Sequence, residues 1–401
     1  MSRARYEKVF IPHRAYWSTP FAKWQGSFAT QHPIRLAAQV GKAALAERGI
    51  SGDALESIVL GVTVPSRQSF WGAPWLATQL GLENITGPTI SHACATSAVV
   101  VATAAAEVEL GGGATLAIAA DRTSNGPHLY YPDPTGPGGR GETEDWVWDN
   151  FNNDPNTHLA MVETAEAVAH ESGITREEQD ELTLRRYEQY FADRTPEASF
   201  RERYMVPVEV RDTSGRRVLA TVTDDEGVFA TTADGLARLK TTREGGTVTY
   251  GTQTHPADGN AGIVVSGRGA ATDHGADGGI TIQLLAYGSA RARPGYMPQA
   301  PVPAARVALD AAGLAIEDMG AIKTHNPFVV NDLYLAREFD LDANSFNNHG
   351  SSLVYGHPQG PTGLRLFIEL IEELVEKGGG HGLFTGCAAG DTGAALVVKV
   401  S

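Results

Sequence analysis

Only two cysteines occur in the 401 residues, Cys94 and Cys387, and each stands where a thiol could do chemistry. Cys94 lies in Ser91-His92-Ala93-Cys94-Ala95-Thr96-Ser97, after the short strand-like stretch Gly87-Pro88-Thr89-Ile90. Residues 95–110 are almost all small and apolar, which predicts a buried helix. Gly111-Gly112-Gly113 ends it, and 114–120 reads as a buried strand. Cys94 therefore opens a helix packed inside the protein, where unpaired backbone N–H groups and the helix dipole favour a thiolate. Such a thiolate is a strong nucleophile. A lone cysteine is also a common inert core residue, and position alone leaves both readings open.

The C-terminal part repeats the arrangement. Gly356-His357-Pro358-Gln359-Gly360-Pro361-Thr362-Gly363 is a turn that opens a helix over 364–377. Gly378-Gly379-Gly380 closes it, and 382–386 reads as a strand ending at Cys387. Two echoes of turn, buried helix, three glycines and strand suggest two similar halves whose sites meet between them.

The elements that must position these residues follow from pattern. Strands are predicted at 8–11, 58–64, 114–120, 206–210, 217–223, 246–251, 262–266 and 280–287, and at 322–328 running into a polar turn. The 58–64 run is wholly apolar, as in a sheet buried on both faces. Helices are predicted at 33–48, around Trp71, Trp75 and Leu76, at 161–169, after the capping-box spacing of Thr175 and Glu178, and at 301–312. Alternation of strands and helices predicts an α/β fold. Composition shifts at Asp121: residues 125–141 hold several Pro and Gly with Tyr130-Tyr131-Pro132-Asp133-Pro134, and read as a long functional loop followed by Trp146, Trp148 and Phe151. The basic residues Arg201, Arg203, Arg211, Arg216, Arg217, Arg238, Lys240 and Arg243 concentrate in the middle third and read mostly as a solvated face.

Composition bounds the function. With 42% hydrophobic and 20% charged residues the chain has material for a large core or two domains. A net charge of −15 argues against a nucleic-acid surface. Two cysteines argue against a disulfide framework and fit a reducing, cytoplasmic setting. Met1-Ser2-Arg3-Ala4-Arg5-Tyr6 leads into a strand-like run rather than an apolar signal segment, and no apolar run is long enough to span a bilayer.

In four separated stretches the chain resembles the thiolases, the acyl-CoA C-acyltransferases. They are Cys94-Ala95-Thr96-Ser97-Ala98; residues 161–166 with Gly173-Ile174-Thr175-Arg176-Glu177-Glu178-Gln179-Asp180-Glu181; Asn347-Asn348-His349-Gly350 through Gly356-His357-Pro358 and Gly363; and Gly386-Cys387-Ala388-Ala389-Gly390. They stand in family order over nearly the whole chain. The resemblance implies a thiolase fold: two similar βαβαβ-type halves in five layers (αβαβα) with an inserted loop domain. The first half would be 1–121, completed by about 247–270; the insert 122–246; the second half 271–401. It implies that Cys94 attacks an acyl thioester and holds the acyl group, that His357 takes the Cys94 proton, and that Cys387 moves the α-carbon proton. Backbone N–H groups at Cys94 and Ala389 would form one oxyanion hole, and His325 and His357 the other.

One turn departs from the usual pattern. Most thiolases carry Asn-Glu-Ala-Phe where this chain has His325-Asn326-Pro327-Phe328, similar to the His-first turn of sterol-carrier-type thiolases. His325 is expected to donate to a thioester oxygen, with Asn326 the alternative if the register slips. His349 replaces a usual Asn, and His92 reads as packing. For coenzyme A, a substrate here rather than a bound cofactor, Arg238, Lys240, Thr254 and Met161 are the candidate contacts. Neither a covalently bound cofactor nor a metal is expected. The resemblance further implies a homodimer or homotetramer, and the aromatic 125–151 region suggests acyl groups bulkier than acetoacetyl. Condensing enzymes of the ketoacyl synthase or hydroxymethylglutaryl-CoA synthase type lack a second acid–base cysteine, so Cys387 argues against them. A non-catalytic or aldolase-like homologue acting as a subunit of a larger acyl-CoA complex is the remaining alternative.

Overall fold

Buried apolar strands assemble into two mixed sheets. In a computed structural model describing residues 2–192, 200–212, 214–274 and 279–401, the first sheet runs in the order Tyr16–Ser18, Ala257–Val265, Ala114–Arg122, Leu55–Gly61, Thr89–Ile90. Leu55–Gly61 is parallel to both its neighbours, and Ala257–Val265 is antiparallel to its own. The second sheet runs Ser2–Arg5, Ile282–Arg291, Thr392–Val400, Gly380–Ala388, Met319–His325, and only its last pair is parallel.

Parallel neighbours need a long crossover, and the two halves use the same one. Leu55–Gly61 is followed by helices Gly72–Leu80 and Thr96–Glu109 before Ala114–Arg122; Met319–His325 is followed by Val329–Phe339 and Gly360–Glu376 before Gly380–Ala388, with the single turn Ser352–Tyr355 between those two helices. Pro33–Glu47 and Gly72–Leu80 cover the outer face of the first sheet. Thr96–Glu109 and Gly360–Glu376 fill the space between the sheets, and Pro301–Ala312 covers the outer face of the second with Val329–Phe339 beside it. The result is five layers, helix–sheet–helix–sheet–helix. Close approach explains two strand glycines. A Cβ at Gly262 would lie 2.3 Å from the buried Trp17 ring, and one at Gly288 would lie 2.5 Å from the backbone of Ala308.

The described residues of 123–256 add no strand to either sheet. Their main helices are Met161–Ser172 and Arg176–Ala192. The expected long loop at 125–141 contains a strand, His128–Tyr131, paired with Glu142–Asp145. Its turn is organised by Asp133, which accepts from the Thr135 N–H and hydroxyl. The expected strand at 246–251 is a turn instead: the N–H groups of Thr247 and Val248 are taken by the Glu166 carboxylate, not by a neighbouring strand. The middle-third basic side chains are partly structural. Arg201 is buried over the Tyr190 ring, Arg203 lies 3.6 Å from Glu372, and Arg243 lies 3.1 Å from Glu163. No described helix is long and apolar enough to cross a membrane.

Candidate active site

The turn before Cys94 is held in a conformation a side chain rarely adopts: Ala93 has φ 43°. Thr96 secures it, accepting from the His92 N–H at 2.8 Å and donating to the Ala93 carbonyl at 2.7 Å. Helix Thr96–Glu109 starts directly afterwards, so the Cys94 thiol stands at its N-terminal end.

The second central helix meets the first end to end. Ser97 Oγ donates to the Gly360 carbonyl, and a Cβ at Gly363 would lie 3.2 Å from Ser97 Cβ. Asp121, at the end of strand Ala114–Arg122, joins the halves from the other side. Its carboxylate accepts from Thr63 N–H and Oγ1 at 2.8 Å each, from Val64 N–H at 2.9 Å and from Gly360 N–H at 2.9 Å. Burial pushes this carboxyl up to about 7 despite those bonds.

These contacts bring His357 to Cys94: Nε2 lies 3.2 Å from Sγ, and Nδ1 lies 2.6 Å from Thr362 Oγ1. The His325 ring is 4.1 Å from the His357 ring, centroid to centroid. His325 Nδ1 lies 3.0 Å from Ser352 Oγ, and its Nε2 is buried with no hydrogen-bond partner. Asn326 turns the other way. Its amide donates to Asp332 and Ser351 and accepts from Ser352 Oγ and Leu353 N–H, which fixes the turn with His325 at the site. Asp332 in turn is paired with the buried Arg186 at 2.9 Å. Cys387 is fully buried within strand Gly380–Ala388, and its sulfur accepts from Asn331 Nδ2 at 3.2 Å.

Burial dominates the electrostatics. It pushes the Cys94 thiol up to about 12, against the opposing backbone N–H groups of Ala389 and of Cys94 itself. Desolvation thus opposes the thiolate expected from the helix N-terminus, while the backbone N–H groups work against that desolvation. Burial lowers His325 to about 3, and it carries His357 well below the usual imidazole range with His325 adding to the effect. Burial thus disfavours the charged form of both the thiol and the imidazole that face each other. Cys387 is also raised, by burial and then by the nearby Cys94.

The structure gathers Cys94, His325, His357, Cys387 and Ala389 in one place. Cys94, His325 and His357 have their ligand-type atoms within 4.8 Å of one another, the only such grouping among the described residues that could hold a metal ion. His349 lies elsewhere, stacked on Phe200 at 3.7 Å and 3.5 Å from Glu376. Of the residues expected to touch coenzyme A, Met161 packs in the cluster that contains Cys387 and Phe328. Thr254 Oγ1 donates to the Ser352 carbonyl at 2.6 Å, and Arg238 and Lys240 are exposed. Asp121, Asn331, Ser352, Gln359 and Thr362 were not singled out from the sequence. The one signal for Asn331 is a polar pair, Asn331-Asp332, set in an apolar stretch.

Comparison with known proteins decides the family. The model described as "Thiolase, N-terminal domain" matches residues 15–268, and "Thiolase, C-terminal domain" matches 280–400. The chain belongs to the thiolase family. It is similar to an acetyl-CoA acetyltransferase of Pseudomonas aeruginosa, 28% identical over 395 residues covering 95% of this chain and 96% of that one. The human mitochondrial 3-ketoacyl-CoA thiolase is 27% identical over 396 residues, with the same coverage. The crystal structure of that human thiolase in complex with CoA superposes with a TM-score of 0.89 at 26% identity, covering 98% of each chain. This thiolase is accordingly an acyltransferase by class, and its five layers are the thiolase fold.

Proposed function

We propose that this thiolase transfers acyl groups between coenzyme A thioesters through an acyl-Cys94 intermediate, condensing two acyl-CoAs or cleaving a 3-ketoacyl-CoA in reverse. The observation that carries the reading is the convergence of the Cys94–His357 pair, 3.2 Å apart, with a second, buried thiol, Cys387. The acyl thioester carbonyl carbon takes the Cys94 sulfur, the S–H proton goes to His357 Nε2, and it leaves with the departing CoA thiolate. The Ala389 and Cys94 N–H groups, already directed at the sulfur, suit the oxyanion of that step. The unpartnered His325 Nε2 beside His357 suits the thioester oxygen of the second acyl-CoA as its enolate forms. Cys387 removes the α-proton. A site dry enough to raise a thiol makes its thiolate a stronger base, and the Asn331 amide donates to that sulfur.

We infer that Met161 lines the acyl side, from its packing beside Cys387, while Arg238 and Lys240 serve the phosphates of coenzyme A. We divide the chain into a first half, 1–121 completed by about 247–270, an insert, 122–246, that presents the CoA contacts, and a second half, 271–401. Incubation with acyl-CoA, acid quench and peptide mapping by mass spectrometry tests the central step. The adduct is expected on Cys94; an adduct confined to Cys387, or none with any substrate that turns over, overturns the assignment.

A further inference from the structure

The turn that delivers His357 also delivers a second polar side chain to the sulfur. Gln359 Oε1 lies 3.1 Å from Cys94 Sγ, in position to accept the S–H proton, and the residue is buried. Its backbone has φ 64° and ψ −106°, a region that L residues avoid. That conformation is locked from both sides. Asp121 takes the Gly360 N–H, Ser97 holds the Gly360 carbonyl, and a Cβ at Gly360 would come within 2.7 Å of the Asp121 carboxylate. Backbone strain held this firmly at a site points to a side chain whose placement matters.

We infer that Gln359 is a third member of the proton-transfer unit, its amide oxygen accepting from whichever of Cys94 and His357 holds the proton. In the resting state the acceptor is used by the Cys94 S–H. When the S–H bond breaks and an Nε2–H bond forms on His357, the electron pair stays on sulfur, and Gln359 accepts from the new imidazolium. The Gln359 side chain does favour the charged form of His357, against the burial and the His325 ring that oppose it. Among the described residues no other polar side chain that bonds either partner bonds both: Thr362 reaches only the far nitrogen, and burial disfavours a charge on His325. In a pocket where burial disfavours both ions, a fixed acceptor for the proton lowers the cost of separating charge. A hydrogen bond to an ionised partner is worth roughly one to two decades in an equilibrium constant.

This inference rests on the acyl-transfer reading for its purpose, but its test needs no thioester. Alkylation of Cys94 by iodoacetamide is followed by mass spectrometry from pH 6 to 10 in the wild type, Gln359→Leu and Gln359→Met. Both substitutions keep bulk and remove the acceptor, and two are used in case one does not fold by circular dichroism. Expected is a roughly 10- to 100-fold slower alkylation near neutral pH, with the profile displaced to higher pH. Rates and profiles equal to wild type in a folded variant overturn the role. Acyl-enzyme formation from acetyl-CoA is measured alongside. If the wild type forms none with any acyl-CoA, the acyl-transfer reading fails while the alkylation comparison still decides Gln359.

Discussion

Half-buried Cys94 and fully buried Cys387 lie close together, yet their neighbours divide the labour between them. Cys94 has a base at 3.2 Å and the backbone N–H groups of Ala389 and of itself at its sulfur; Cys387 has the Asn331 side-chain amide and its own backbone N–H, and no exposure. Cys387→Ala should therefore still form the Cys94 adduct but lose carbon–carbon bond chemistry by at least about 100-fold, the scale of a missing general base. Near wild-type thiolysis and condensation by that variant would make Cys387 structural. His325 gives a second prediction at this scale. Its folded pKa of about 3 lies below the ordinary 6.5, so between those values the unfolded chain binds the extra proton. Stability is present above pH 6.5 and is lost as pH falls toward the folded value. By pH 5 the loss from this one group is about 2 kcal/mol. Urea denaturation at pH 7 and pH 5 should show His325→Asn losing less than wild type by about that amount. Equal losses would mean that His325 titrates freely and is not sealed in the site.

At the scale of elements, the helix Gly360–Glu376 carries the most unusual burden for a central helix. Arg365, Glu369, Glu372 and Glu373 are all buried. Arg365 grips Asp225 with two bonds, 2.6 and 2.9 Å, and lies 3.7 Å over the Tyr355 ring. Burial works to raise the Asp225 carboxyl, but the Arg365 guanidinium overrides it and holds the group below the usual carboxylate range. The pair thus ties the segment before Gly227 to the helix that presents His357. Removing Asp225 leaves the buried guanidinium with Glu369, 3.0 Å from Nε, as its remaining carboxylate and two N–H groups unpaired, so Asp225→Ala should cost about 3 kcal/mol by denaturant titration, against less than 1 for a surface pair such as Arg306–Glu338. A loss near the surface value would show that water relieves the guanidinium.

None of this network was legible in the sequence, because Arg365 and Asp225 stand 140 residues apart and nothing local marks either as buried. The glycine-bounded helices and the catalytic turns were legible, since their signals lie within a few residues of one another. Residues 246–251 misled because Thr-Val-Thr-Tyr alternates like a strand, whereas Glu166 captures the backbone N–H groups that a strand would have paired. The strand Thr392–Val400 and the helix Val329–Phe339 went unread for a related reason. Short apolar runs lack a decisive period, and partners elsewhere in the fold choose their conformation. Likewise Asn331 and Asp121 gain meaning only when the fold sets them beside Cys387 and Gly360.

For the whole molecule, the unsettled surface is the edge of the first sheet. Thr89–Ile90 is its last strand, with Leu60 and Gly61 on one side and no strand on the other among the described residues. The Thr89 hydroxyl accepts from the Ala73 N–H at 2.9 Å, which places the segment just before it, Phe70 and Trp71, at the same edge. Those two rings are 90% and 65% exposed and pack edge to face on each other. The aromatic hairpin is anchored nearby: Trp146 Nε1 donates to the Thr63 carbonyl just past Leu55–Gly61, while Tyr130, Tyr131 and Trp148 remain exposed. The exposure of these rings favours their use as an interface over the bulky-acyl reading. Unpaired strand edges flanked by apolar surface are strongly favoured sites of association. The expected species is therefore a homodimer or homotetramer, well above the 42.5 kDa of one chain. Light scattering should report that mass, and Phe70→Glu combined with Trp71→Glu should shift the population toward monomer while circular dichroism is unchanged. A clean 42.5 kDa species for the wild type at working concentration would refute the interface and return the exposed rings to the substrate side, where kcat/KM for bulky against short 3-ketoacyl-CoAs would then be expected to depend on Trp148.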